Sequence, residues 1–448
     1  MVRPPGPKTL VPGGHLLAFQ LRPINFLMKV ARNYGDISYF RLGPQPAYLL
    51  NHPDFIKDVL VTRHENFMKG RALQRSKRLL GEGLLTSEGA AHRRQRRLAQ
   101  PAFHRQRIST YARVMVDYAE RFSERWQVGT SLDIAHEMSK LTLAIVGKTL
   151  FDTDVESDAE GVGQALTKIM KQFRLLLLPY TELLEFVPLL PPVRRFREAK
   201  DELDRVIYRI IEERRRSKRD HGDLLSMLLM AQDDEEGSGG MTDEQLRDEA
   251  LTIFLAGHET TANWLTWTWY LLSAHPEAEI KLHEELDRVL GGKPPSDEDI
   301  PQLRYTEMIL SEAMRLYPPA WTVGRLAISD TEVGGYMVPA GSLVLLSQYV
   351  MHHDERYYPD PFRFDPERWT PEAKGERPQF AYFPFGGGPR RCIGEGFALM
   401  EGALLLATLA QKWRMRLVPG HPVDIHPLIT LRPKHGMLMK LEKVGSRQ

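Results

Sequence analysis

Thr242-x-x-Gln245 and Pro276 bracket a run of roughly 30 residues with helix-start and helix-stop chemistry at its two ends. A helix of that length is about 45–50 Å long, enough to cross a whole domain. It carries many apolar residues, so the expected place for it is the centre of a fold. Gly257 sits near its middle, where glycine costs about 1 kcal/mol relative to alanine. Something other than helix propensity must account for it.

The segments around this helix are mostly helical as well. From about Arg93 to Ala274 helical periodicity dominates, as in Tyr111 to Trp126, Ser139 to Phe151 and Lys200 to Arg216. Ile37 to Leu50 is predicted to be two strands around Gly43-Pro44, and strand-like pieces return at Gly324 to Leu346. Gln232 to Gly240 is acidic, then flexible, and is expected to be a surface loop. The expected fold is mainly α with small β-sheets, one large domain over residues 1–448, with strands concentrated at about 1–61 and 320–350.

Composition narrows the function. Of the 448 residues, 42% are hydrophobic and 26% charged, as in an ordinary globular protein. The formal net charge of +2 gives too weak a global field to suggest nucleic acid. The single cysteine, Cys392, excludes an intrachain disulfide, an iron–sulfur cluster and a multi-cysteine zinc site. No stretch reaches the roughly 18 apolar residues of a membrane span, and residues 1–14 lack a signal-peptide core. A soluble, cytoplasmic monomer is the expectation.

Cys392 lies in Phe385-Gly-Gly-Gly-Pro-Arg-Arg-Cys-Ile-Gly394. The glycines permit unusual backbone angles and a close approach to a flat partner. An apolar helical run follows, so Cys392 is expected at or near a helix N-terminus, where a thiolate is favoured. A phosphate loop is ruled out because no Gly-Lys-Ser/Thr ending is present, and no clear βαβ unit surrounds the loop.

This loop resembles, position by position, the haem-binding signature of the cytochrome P450 family. The defining positions Phe385, Gly388, Arg390, Cys392 and Gly394 are all present. The resemblance implies haem b with Cys392 as axial thiolate, Arg390 on a haem propionate, and Phe385 and Gly386 beside the cofactor. Thiolate ligation favours O–O cleavage, so dioxygen is the implied co-substrate.

Three further motifs resemble the family's in the same chain order. Ala256-Gly-His-Glu-Thr260-Thr looks like the oxygen-binding segment of the long helix, with Glu259 and Thr260 implied as a proton relay and Gly257 keeping a groove open. Glu312-x-x-Arg315 with Arg368 is similar to the structural triad that supports the cysteine loop. Helical spacing puts the first two on one face. His92 and Arg96 share a helical face and match propionate donors. Many members have Trp where this chain has His92. Arg325 matches another propionate-binding arginine.

By this resemblance the protein is expected to insert one atom of dioxygen into a C–H or C=C bond of a small hydrophobic substrate, a fatty acid, terpenoid or steroid-like molecule. No flavin or nicotinamide domain fits in the remaining chain, so the electrons are expected from a ferredoxin or flavodoxin. It would dock on a basic patch of Arg93, Arg94, Arg97 and Arg391. The implied pocket comprises Leu84, Leu85, Phe173 to Leu178, Phe254, Ala256, Ala320, Trp321, Val323, Leu428 and Ile429. Leu175 to Leu190 is the implied entrance lid, with contact to a membrane surface as an alternative role.

Three rival readings are weaker. A non-haem iron dioxygenase built on His352, Asp354 and His426 would need a β-rich barrel. A haem sensor or electron carrier would not need Glu259 and Thr260, and peroxide-using members tend to lack that pair. The Pro4-Pro5-Gly6-Pro7 start resembles the hinge after a membrane anchor in microsomal members, but a natural soluble bacterial protein is preferred.

Overall fold

The computed structural model describes residues 2–10, 13–152, 191–217, 219–230 and 240–445. The expected lid at 175–190, the pocket residues 173–178 and the loop at 232–239 lie outside the described residues. The fold is mainly helical with several small sheets.

The long helix is the structural axis. It runs without interruption over Asp243–Ala274. Its start is a complete capping box: the Gln245 amide donates to the Thr242 hydroxyl at 3.2 Å, and the Thr242 amide donates to the Gln245 side chain at 3.0 Å.

Helices α1 (Gly89–Ala99), α2 (Arg105–Ser123) and α3 (Ile134–Phe151) precede it. The long helix is α4, followed by α5 (Arg304–Leu316) and α6 (Glu395–Ala410). Both α3 and α4 are buried on almost all sides, which is why neither shows a strong amphipathic pattern. They pack on each other and, with α2, α5 and α6, form one large apolar core that includes Met115, Leu141, Trp264 and Leu405.

Gly257 acquires a different reason from the one expected. A Cβ there would stand 3.1 Å from a methyl of Val146, so the glycine lets α3 and α4 approach closely. The groove need not be invoked for it.

The predicted hairpin forms as strands β1 (Ile37–Leu42) and β2 (Gln45–Leu50), paired antiparallel. Strands β3 (Phe67–Lys69), β4 (Val323–Ala327) and β5 (Leu343–Leu346) complete a sheet of order β1-β2-β5-β4-β3. The parallel β2–β5 pairing joins the two strand-bearing regions of the chain into one sheet. The first 61 residues are less β-rich than expected. They also hold the helices Leu16–Leu21 and Pro23–Tyr34, the latter burying Ile24, Leu27 and Val30 against the sheet.

Candidate functional site

Two places inside the fold stay accessible where the surroundings are buried. Between Leu246 and Trp269 of α4, only Leu255, Ala256, Gly257 and Thr260 are not buried. The other is the cysteine loop. Gly386 and Gly388 take φ of +71° and +64°, and a Cβ on Gly388 would fall 1.9 Å from the Leu60 carbonyl oxygen. The Cys392 amide donates to the Phe385 carbonyl at 3.0 Å, closing the turn three residues ahead of α6. The Cys392 side chain is accessible, yet protein surrounds it so closely that burial pushes its thiol up. The Gly394 N–H on the sulfur opposes that shift. This combination describes a wall of an internal space.

Cations from four elements converge beside the loop. The β3–β4 register sets Lys69 directly opposite Arg325, two like charges as cross-strand neighbours. Helix α1 contributes His92 and Arg96, and the loop contributes Arg390. Burial, then Arg390 and Glu88 acting in opposite senses, lowers Arg325 to about 10. Burial and the neighbouring Arg390 bring Lys69 down to about 7 and, together with Lys69 itself, His92 to about 3. His92 is therefore a neutral imidazole. The carboxylates facing this cluster are Glu88, which pairs with Arg390, and the buried Glu249, itself raised to about 7 by burial. Lys69 donates to the carbonyls of Leu84 (3.0 Å) and Ser87 (3.3 Å), and Arg390 donates to Ser87 (2.8 Å). Arg96 reaches the Arg391 carbonyl at 2.7 Å. Lys69 was not singled out from the sequence, because only the strand register reveals it.

The Glu259 and Thr260 side chains meet different partners. Successive helix residues point about 100° apart. The Thr260 hydroxyl donates to the Ala256 carbonyl at 2.7 Å. The Glu259 carboxylate instead turns to the hairpin of strands Ile425–Pro427 and Leu431–Pro433, accepting from Arg432 Nε at 2.7 Å and from the Thr430 hydroxyl.

Among the expected pocket residues, Leu85 and Ile429 are exposed and Ala256 is accessible. Leu84 is buried, and its amide donates to Glu249 at 3.1 Å. Phe254 and Trp321 are buried among core side chains. Phe254 packs on Phe151 with ring centroids 5.5 Å apart, and Trp321 lies in the sheet-side core with its indole N–H on the Leu428 carbonyl at 2.9 Å. Ala320, Val323 and Leu428 are half-buried.

Glu312 and Arg315 are wholly buried and joined by two bonds of 2.7 and 2.8 Å, with Arg368 3.5 Å from the same carboxylate. The rival iron site is not assembled. His352 Nε2 accepts the Phe383 amide in the core, and Asp354 is paired with Arg356 and Asn51.

Glu401 on α6 was also missed. It is fully buried, lies beside Thr261 of α4, and neither carboxyl oxygen meets the distance and angle of a hydrogen bond. Burial raises it to about 8, so at neutral pH it is an uncharged acid. Its folded-state pKa is above that of an unfolded glutamate. The native state therefore keeps a proton the unfolded chain has lost between about pH 4.5 and pH 8, and stability falls as pH rises through that window. Glu401→Met should remove this slope and raise stability at pH 7 by on the order of 3 kcal/mol, read by denaturant unfolding at several pH values. An unchanged pH slope would contradict the burial of a titrating Glu401.

With this geometry in hand, comparison with known proteins defines the class. The cytochrome P450 sequence family matches residues 4–439. The chain is 43% identical to cyclooctatin synthase of Streptomyces melanosporofaciens, over 94% of this chain and 93% of that protein. It is 40% identical to cyclooctat-9-en-7-ol 5-monooxygenase of the same organism, over 91% and 88%. It is 36% identical to pentalenene oxygenase of Streptomyces avermitilis, over 96% and 94%. The chain belongs to the cytochrome P450 family. It is an oxidoreductase, a monooxygenase that uses haem iron and dioxygen, acts on a hydrophobic substrate and takes its electrons from a redox partner. Among the described residues, no helix is long and apolar enough to cross a membrane.

The residues present fit a haem. Its two carboxylates would supply anions to a cluster in which Lys69, Arg325, Arg96 and Arg390 outnumber Glu88 and Glu249, with the neutral His92 beside them as a further N–H donor.

Proposed function

We propose that the chain is a terpenoid monooxygenase whose Cys392 thiolate holds haem b and whose substrate lies against the accessible face of α4 at Ala256 and Thr260. The observation that carries the cofactor part is the like-charged cross-strand pair Lys69–Arg325 beside Arg390, which needs an anionic partner. Arg390, Arg325, His92 and Arg96 are assigned to the propionates, with Lys69 added to them, and Phe385 and Gly386 to the proximal side. Haem iron bound there would supply dioxygen activation.

The chain's own residues do the rest. The Thr260 hydroxyl, at an accessible point of α4, is the group that handles protons. Glu259 binds Arg432 and Thr430, and so ties the Leu428–Ile429 turn, one wall of the pocket, to α4. Leu84, Leu85, Ala320, Val323, Leu428 and Ile429 line the remaining apolar surface. Glu312, Arg315 and Arg368 hold the segment leading to the cysteine loop.

The terpenoid assignment is supported by the three relatives, two of whose names state terpene substrates, at 36–43% identity over nearly the whole chain. The electron donor is a ferredoxin or flavodoxin that meets the exposed Arg93 and Arg97 of α1. Arg391 contributes less than expected, because Glu395 neutralises it at 2.5 and 2.6 Å. The protein is proposed to act as a cytoplasmic monomer.

The test is a binding and turnover screen of polycyclic terpenes, fatty acids and steroids with labelled dioxygen and a ferredoxin system. A terpene should perturb the haem spectrum and gain one labelled oxygen. Selective turnover of a fatty acid or steroid would overturn the substrate class.

A further inference from the structure

The segment from Gly81 to Ser87 is neither helix nor strand, so its backbone groups need partners from elsewhere. Two adjacent acids of α4 take its amides. Asp248 accepts from Glu82 at 2.7 Å, and Glu249 accepts from Leu84 at 3.1 Å. Glycines let the segment lie directly on the helix. A Cβ on Gly81 would stand 1.9 Å from the Asp248 carboxylate, and one on Gly83 would stand 2.3 Å from the Thr252 hydroxyl. Lys69 holds the segment from β3, donating to the carbonyls of Leu84 and Ser87.

Leu84 is thus held by both of its backbone groups, the N–H by Glu249 and the C=O by Lys69. These groups belong to successive rigid peptide planes, and the second plane leads into Leu85. Fixing both planes fixes the backbone at Leu84 and the point from which the 37% exposed Leu85 projects. A buried carboxylate is a destabilising way to anchor one amide. Glu249 has no exposed surface, its second oxygen makes no hydrogen bond among the described residues, and burial raises it to about 7. No step of the proposed chemistry uses it.

We propose that Glu249 is a positioning residue for substrate selection: with Lys69 it clamps Leu84, and so sets the shape of the pocket wall that Leu84 and Leu85 form. This inference rests on the proposed pocket, in which those two leucines meet the substrate. The Lys69 ammonium has three protons, so it can hold both carbonyls and still face a haem carboxylate. One loop then joins the cofactor cluster to the substrate wall.

The experiment is spectral titration of the holoprotein with imidazole and with 4-phenylimidazole. Both carry the ring that binds haem iron, and the second adds an apolar phenyl group that must fit the pocket. Glu249→Leu should change the ratio of the two dissociation constants by more than about fivefold, with haem content and imidazole affinity kept within about twofold. Glu249→Gln retains an acceptor for the Leu84 amide and should keep the wild-type ratio. Leu85→Ala alters the wall directly and should change it. Hydrogen exchange over residues 82–87 should quicken by more than about tenfold in Glu249→Leu and stay slow in Glu249→Gln. If Glu249→Leu holds no haem, Glu249→Asp, which withdraws the carboxylate by one methylene, carries the same expectations. A ratio that moves with Leu85→Ala but not with the Leu or Asp variant of Glu249 overturns the clamp and leaves the pocket standing. A ratio unmoved by Leu85→Ala overturns the pocket assignment and this proposal with it. Loss of haem from both the Leu and Asp variants would reduce Glu249 to a structural anchor and overturn its role in selection.

Discussion

Arg315→Leu is expected to leave little folded, haem-containing protein. Glu312 and Arg315 have no exposed surface, and their bonds reach well beyond the pair. The Glu312 carboxylate accepts from Arg315 at 2.7 and 2.8 Å, from the Trp369 indole at 2.9 Å and from the Asp365 amide at 3.0 Å. The Arg315 guanidinium also donates to the carbonyls of His352 (2.8 Å), Pro361 (2.6 Å) and Arg363 (3.1 Å). One side-chain pair on α5 thus fixes the irregular segment 352–369, where no regular ladder satisfies the backbone. Removing the guanidinium leaves a buried carboxylate with only the more distant Arg368, at 3.5 Å, as counter-charge, and three carbonyls without their donor. Breaking a buried pair from one side costs about 3–5 kcal/mol, a large share of the total stability of a typical domain. Arg315→Lys keeps the charge but cannot bond the carboxylate with two nitrogens and still reach the carbonyls, so an intermediate loss is expected. Haem content per chain and the thermal unfolding midpoint provide the readout. Wild-type values for Arg315→Leu would show that the pair does not support the fold.

What could be read in advance was whatever local chemistry decides. The α4 start follows from the reach of two side chains, Thr242 and Gln245, three residues apart. The Ile37–Leu50 hairpin follows from alternation around Gly43-Pro44, and the cysteine loop from its glycines. What could not be read depends on partners distant in sequence. Lys69 looks like any strand residue until the β3–β4 register sets it against Arg325. Glu259 and Thr260 are neighbours in sequence, but the helix turns them apart, and Arg432, 173 residues on, takes the carboxylate. Phe254 and Trp321 are apolar wherever they lie, so sequence alone cannot say whether they face a pocket or a core. The helix Pro23–Tyr34 carries a signal, Pro23 at its first turn with Ile24, Leu27 and Val30 at helical spacing, but the strand-like segments that adjoin it mask that period.

Cys392→His is expected to abolish monooxygenase activity while leaving much of the fold in place. The loop geometry does not depend on the sulfur. It is held by the Cys392 amide on Phe385, the left-handed Gly386 and Gly388, and Arg390 on Ser87 and Glu88. What changes is the donor presented to iron. Burial pushes the Cys392 thiol up, while the Gly394 N–H and the neighbouring Arg96 and Arg391 favour the anion. Cys392 would hold the haem iron as its thiolate, which would favour O–O cleavage in a way that an imidazole would not. The cation cluster is untouched by the substitution, so haem should still be retained. The carbon monoxide difference spectrum of reduced wild type and Cys392→His, recorded side by side, tests this assignment most directly. The thiolate-type band should be present in the wild type and absent from the variant, which should show an imidazole-type band in its place. A variant that keeps the thiolate-type band, or a wild type that never shows it, would contradict the identification of Cys392 as the iron ligand.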